Sequence, residues 1–207
     1  MEEDNLFNWI IQVPLLRAVE LGRLAIIKLL LDHLDIDVDI KIDSNDRTPL
    51  SLAAEKGYCE VVNLLLDRGA CSCSKDAIDR TPLSYAAEKG HCAIVKLLLE
   101  KGAEPCTRYR DLNDKTPLSY AAENGFWETI NLLLLNGADP LSGDQPGRTL
   151  LSYAVENAQY DTVNWLLGEV AAPGVGSPVC ENTVIHTRLP PLKITNPRFR
   201  ERRCLIL

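Results

Sequence analysis

The sequence predicts an all-α solenoid of about five helix-turn-helix units with hairpin-like fingers between them, followed by a disordered C-terminal tail. Three observations carry that prediction. The block Thr48-Pro49-Leu50-Ser51 returns at Thr81-Pro82-Leu83-Ser84, at Thr116-Pro117-Leu118-Ser119 and, degraded, at Thr149-Leu150-Leu151-Ser152, with offsets of 33, 35 and 33 residues. Ala-Ala-Glu or Ala-Val-Glu follows each block, and Gly57, Gly90 and Gly125 stand nine residues after the first three threonines. The leucine triplets starting at Leu64, Leu97 and Leu132 come next, and Gly-Ala pairs at Gly69, Gly102 and Gly137 close the units. A period of this length marks supersecondary units that bury their apolar faces only by stacking on their neighbours.

In chain order, residues 1–12 carry Leu6, Phe7, Trp9, Ile10 and Ile11, an apolar set expected to cap the first unit. Unit 13–46 is read from Pro14-Leu15, Ala18, Glu20 and Gly22, each 35 residues before its counterpart in the second unit. Val13 replaces the threonine and Leu34-Asp35 the closing Gly-Ala, as befits an end repeat. In unit 47–79, Thr48 offers a side-chain oxygen where a helix N-cap belongs. Pro49 follows at the first helical position, where a missing N–H is harmless. Leu50, Ala53 and Ala54 make a short helix with small residues for close packing, and Gly57 turns the chain. Val61, Val62 and Leu64 to Leu66 form the stripe of a longer second helix. The polar stretch from Cys71 to Arg80 returns as a finger. Units 80–114 and 115–147 repeat this plan. Unit 148–170 weakens it, with Leu150 in place of proline and Ala158 in place of glycine.

These residues resemble the ankyrin repeat, whose period is about 33 residues and whose signature is Thr-Pro-Leu-His-x-Ala. The signature histidine is serine here, at 51, 84, 119 and 152, a pattern similar to the arrays abundant in filamentous fungi. The resemblance covers residues 13–170. It implies a non-enzymatic module that binds protein partners through its finger tips and the exposed part of each first helix, on the concave side.

The chemistry-bearing residues fit that expectation. His33, His91 and His186 belong to no catalytic set, and His91 sits in a Gly-His turn with a structural role. No phosphate loop, serine elbow, zinc-protease helix or Cys-x-x-Cys pair occurs, so no cofactor and no metal is expected. The seven cysteines are read as reduced thiols of a cytosolic protein, without a disulfide framework. Cys71-x-Cys73 has poor spacing for zinc, and these residues are read as small, semi-buried side chains.

Candidate partner contacts are the finger residues Lys75, Asp76, Arg108, Tyr109, Arg110 and Arg148, together with Glu88, Lys89 and Glu123 at the ends of first helices. The finger from Thr107 to Lys115 is two residues longer than the others and exposes Tyr109 between two arginines, a composition enriched at interface hot spots. Tyr85, Tyr120 and Tyr153 form a ladder, one per unit, expected to pack between layers with the hydroxyl at the rim.

Net charge is −7, split unevenly. Residues 1–170 carry 16 basic and 27 acidic side chains, hence −11; residues 171–207 carry 6 and 2, hence +4. An acidic body argues against a nucleic-acid partner, which would require a basic face. No apolar run approaches the length of a membrane span, and Glu2-Glu3-Asp4 is unlike a signal peptide. From Ala171 the composition is that of a flexible linker. The sequence then ends in Cys204-Leu205-Ile206-Leu207, which fits a prenylation box favouring geranylgeranyl. Arg198, Arg200, Arg202 and Arg203 supply a second, electrostatic membrane signal for a lipid surface. The expected function is therefore an adaptor for a protein partner, cytoplasmic and peripheral on a membrane through lipidated Cys204. The alternative is a soluble scaffold, inhibitor or accessory pathway protein without lipid.

Overall fold

The computed structural model describes residues 13–33, 36–105, 110–145 and 147–171. The expected N-terminal cap, Arg108 and Tyr109, and the tail with Arg198, Arg200, Arg202, Arg203 and Cys204 lie outside the described residues. All regular structure among the described residues is helical. Helix α1 covers residues 13–20 and pairs with α2 (Leu24–His33). Then follow α3 (Pro49–Lys56) with α4 (Cys59–Asp67), α5 (Pro82–Glu88) with α6 (Cys92–Glu100), α7 (Pro117–Glu123) with α8 (Trp127–Leu135), and α9 (Leu150–Glu156) with α10 (Tyr160–Ala171). The chain is an all-α solenoid of stacked helix pairs.

Each first helix starts as its residues dictate. The Thr48 side chain accepts the Ser51 N–H at 3.2 Å; Thr81 and Thr116 do the same for Ser84 and Ser119. The serine hydroxyl lies 3.2 Å from the threonine hydroxyl in all three units, and Ser119 also accepts the Thr116 N–H at 3.4 Å. Serine in the signature position thus answers the N-cap locally, in the manner of a capping box.

Layer packing follows from side-chain size. Ala53, Ala54, Ala86, Ala87, Ala121 and Ala122 are completely buried, and they let the first helices approach one another more closely than the second helices do. The second helices bury larger groups: Val61, Val62 and Leu65 in α4, Ile94, Val95 and Leu98 in α6, and Ile130 and Leu133 in α8. The stack therefore curves toward the first helices and the fingers.

A second ladder locks successive units. The residue after Gly57, Gly90 and Gly125 is a ring, and that ring lies on the turn glycine of the preceding unit. A Cβ on Gly22 would sit 3.0 Å from Tyr58, one on Gly57 2.7 Å from His91, and one on Gly90 2.4 Å from Phe126. The Tyr58 hydroxyl donates to the Glu20 carbonyl at 3.1 Å, and His91 Nε2 lies 3.1 Å from the Glu55 carbonyl. His91 is structural, as its turn position implies.

The last unit keeps the geometry without the glycine: Ala158 adopts φ 52°. A Cβ in the left-handed region is strained, whereas glycine has the opposite cost of greater chain entropy when unfolded. Ala158→Gly is expected to raise stability by about 0.5–1 kcal/mol, read as a higher urea midpoint. Helix α10 runs for 12 residues, against nine in α4, α6 and α8, and reaches Ala171, one residue beyond the boundary read from composition.

Candidate protein-interaction face

The fingers are held from within by a repeated aspartate. Asp76 Oδ1 accepts the N–H groups of Ile78 and Arg80 at 2.9 and 2.8 Å. Asp111 does so for Asn113 and Lys115 at 2.8 and 2.9 Å, and Asp144 for Arg148 at 2.8 Å. The other oxygen takes the hydroxyl of the tyrosine nine residues on: Tyr85 to Asp76 at 2.6 Å, Tyr120 to Asp111, and Tyr153 to Asp144 at 2.6 Å. In the first finger the tyrosine position is Leu52, and Asp43 Oδ2 instead accepts from Arg47 Nε at 2.6 Å. The tyrosine ladder is therefore buried at both ends. The hydroxyls do not stand at the rim; they latch the second, third and fourth fingers to their helices, because a buried phenol requires an acceptor. Burial first, and the aspartate bond second, hold all three phenols well above the ordinary tyrosine range.

Backbone bonds then join finger to finger. Ala77 N–H donates to the Asn45 carbonyl at 3.0 Å, Leu112 to Ile78 at 3.1 Å, and Gln145 to Asn113 at 3.1 Å. The tips form one connected edge.

Charged side chains lie over this frame. Arg47 pairs with Glu55 at 2.5 Å, Arg80 with Glu88, and Lys115 with Glu123 at 2.6 Å, each across an eight-residue spacing. Arg80 is sandwiched between Tyr85 and Tyr120, with its guanidinium carbon 4.0 and 4.6 Å from the two ring centres. Its buried Nε has no hydrogen-bond partner among the described residues, a cost the two ring faces offset through cation–π attraction. Burial works to raise the Glu88 carboxyl pKa, but Lys89 and Arg80 outweigh it and hold the group below the usual glutamate value. Arg148 departs from the pattern: it sits 4.7 Å over Tyr153 and leans toward Asp144 and Glu123 at 3.7 and 3.9 Å, with no bond to Glu156.

Of the residues singled out from sequence, Glu88, Lys89, Glu123 and Arg148 come together on this ladder. Lys75 is exposed at the second finger and pairs with Asp79 at 3.2 Å. Asp76 is 8% exposed and both its oxygens are engaged inside the finger, so it shapes the surface rather than contacting a partner. Arg110 is half-buried and donates to the Gly143 carbonyl at 3.1 Å, tying the longer finger to the next one. Sequence reasoning passed over the roles of Arg47, Arg80 and Lys115. Their signal was present as a basic residue recurring eight positions before a glutamate.

Among the described residues no three metal-ligating side chains converge, and no helix is long and apolar enough to cross a membrane. Helix pairs stacked in register, with tied fingers and a continuous charged face, define a class: a repeat scaffold whose surface is built by many units rather than by one cleft. Comparison with known families makes this specific. A model of ankyrin repeats in three copies matches residues 12–76 and 107–175, and a single ankyrin-repeat model matches residues 79–110. The chain belongs to the ankyrin-repeat family. No curated protein matches it in sequence.

Proposed function

We propose that the array is a protein-binding adaptor that holds its partner along the fingers and the ends of the first helices. The observation that carries this reading is the preorganised ladder: the second, third and fourth fingers are each latched by an Asp–Tyr bond, the first by Asp43 and Arg47, and successive fingers are bonded to one another, so the charged face is ordered before any partner arrives. Preorganisation lowers the entropy cost of association. Lys75, Lys89, Glu123 and Arg148 supply charge along that face; Arg108 and Tyr109, outside the described residues, are assigned to the same interface on their sequence alone.

The test pairs two surface variants. Capture from a cell lysate with the intact chain would identify the partner by mass spectrometry. Lys89→Glu, on the ladder, is expected to weaken binding of that partner by about tenfold. Lys96→Glu, on the outer surface of α6 where the side chain is 62% exposed, is expected to leave it unchanged. Equal binding by both variants, or loss in Lys96→Glu alone, rejects the concave-side reading.

The finer reading adds a tether. On a chain ending at Leu207, Cys204 would carry an isoprenoid, and Arg198, Arg200, Arg202 and Arg203 would hold the anchored tail to an anionic cytosolic leaflet. The support is the Cys-Leu-Ile-Leu sequence beside four arginines. Intact mass and membrane fractionation, beside Cys204→Ser, decide it: an unmodified wild type that stays out of the membrane fraction removes the tether.

A further inference from the structure

Cys71 and Cys73 stand at the base of the second finger and take no part in the charged ladder. The turn between them is closed by Ser74 N–H on the Cys71 carbonyl at 3.3 Å. It brings the two sulfurs to 2.8 Å, inside the contact distance of unbonded sulfur atoms. Hydrogen bonds tie both sides of the turn, one to Asp39 of the preceding unit and the other to Thr48 of its own. Cys71 N–H donates to both carboxylate oxygens of Asp39 at 3.0 Å, and the Ser74 hydroxyl lies 3.2 Å from that of Thr48. Cys71 is half-buried and Cys73 exposed, so an external reagent has one thiol to meet and a second one waiting behind it. Cys59 and Cys92 lie at the starts of α4 and α6, away from this turn.

We propose that Cys71 and Cys73 are a reversible dithiol–disulfide site that closes by exchange with a small disulfide of the glutathione type. Cys73 reacts first: its thiolate attacks one sulfur of the small disulfide, that S–S bond breaks, and one small thiolate leaves and takes up a proton. The Cys71 thiolate then attacks Cys73 Sγ and expels the second small thiol. Two protein thiols and one small disulfide become one protein disulfide and two small thiols; the protein pair gives up two electrons and the small disulfide accepts them. The second step is intramolecular between groups already in contact, which favours it over release or further adduct formation. The shared contact, with burial second, holds the Cys73 proton more firmly than in an ordinary thiol, so exchange is expected to quicken as pH rises. Closure would stiffen the root of the finger that carries Lys75.

Trypsin supplies a clean readout. Cleavage after Arg68 and Lys75 releases residues 69–75, which hold these two cysteines and no other. The full chain is equilibrated in glutathione buffers of stepped redox ratio, acid-quenched, alkylated and digested. The peptide is expected to pass from doubly alkylated to unalkylated and lighter by two hydrogens, without accumulating a glutathione adduct. Cys71→Ser is expected to leave an adduct on Cys73 that dithiothreitol removes. In urea the midpoint is expected to move to an about tenfold more oxidising ratio, because the fold no longer holds the sulfurs together. A doubly alkylated peptide at every ratio, two separate glutathione adducts, or equal midpoints folded and unfolded would overturn the proposal.

Discussion

Gly90→Ala is expected to destabilise the array by about 2–4 kcal/mol, as two costs fall on one methyl group. Gly90 has φ +68°, where a Cβ meets its own backbone, and that Cβ would lie 2.4 Å from the Phe126 ring. The ring cannot withdraw freely, because it packs against the buried core between the third and fourth units. The two costs separate in a double-mutant cycle. Phe126→Ala alone leaves a gap and destabilises. In that background Gly90→Ala is expected to cost only the backbone share, about 1–2 kcal/mol. Additive losses in urea unfolding would mean that the ring and the glycine do not interact. Gly69, by contrast, has φ +86° and no atom within 4 Å of a built Cβ, so alanine there is expected to show the backbone cost alone.

Asp111→Ala is expected to cost about 3 kcal/mol, because it strips an acceptor from three donors at once. The N–H groups of Asn113 and Lys115 and the Tyr120 hydroxyl all converge on this 5% exposed carboxylate. Tyr120→Phe removes one donor and leaves the finger turn closed, so about 1 kcal/mol is expected. The latch also imposes a pH dependence of definite sign. The folded phenol titrates above the unfolded one, so its stabilisation is complete below the ordinary tyrosine pKa of about 10. As pH rises through that value the unfolded chain loses the proton and the folded chain keeps it, so stability falls. Tyrosinate absorbance from Tyr85, Tyr120 and Tyr153 is therefore expected to appear together with unfolding. Tyr120→Phe is expected to lose less stability than wild type between about pH 8 and about pH 11. An equal alkaline loss in both proteins would show that the latch is not what titrates.

The repeat made the fold readable because its signals are local. Thr48, Thr81 and Thr116 cap helices through bonds that span three residues, and Gly57 turns the chain through its own φ; neither depends on distant parts of the molecule. The same locality exposed the interruptions, Leu150 and Ala158, and the structure shows that stacking carries α9 and α10 through them. The charged ladder was only half legible. Glu88, Lys89, Glu123 and Arg148, named from sequence for their place at helix ends and fingers, lie on it, whereas Asp76, also named as a surface charge, is engaged inside its finger.

What the amino-acid sequence determined by itself was the unit: where each helix starts and stops, which face is apolar, and that several units must stack. Tertiary structure alone decided the use of the polar residues. Asp76 and Tyr85 are nine apart, Arg80 and Glu88 eight apart, and Arg80 reaches Tyr120 in the next unit. Such pairs meet only once the finger folds back on its helix and the layers stack. Whether a charged side chain faces a partner or an internal acceptor is set by that closure, and the residue type does not encode it.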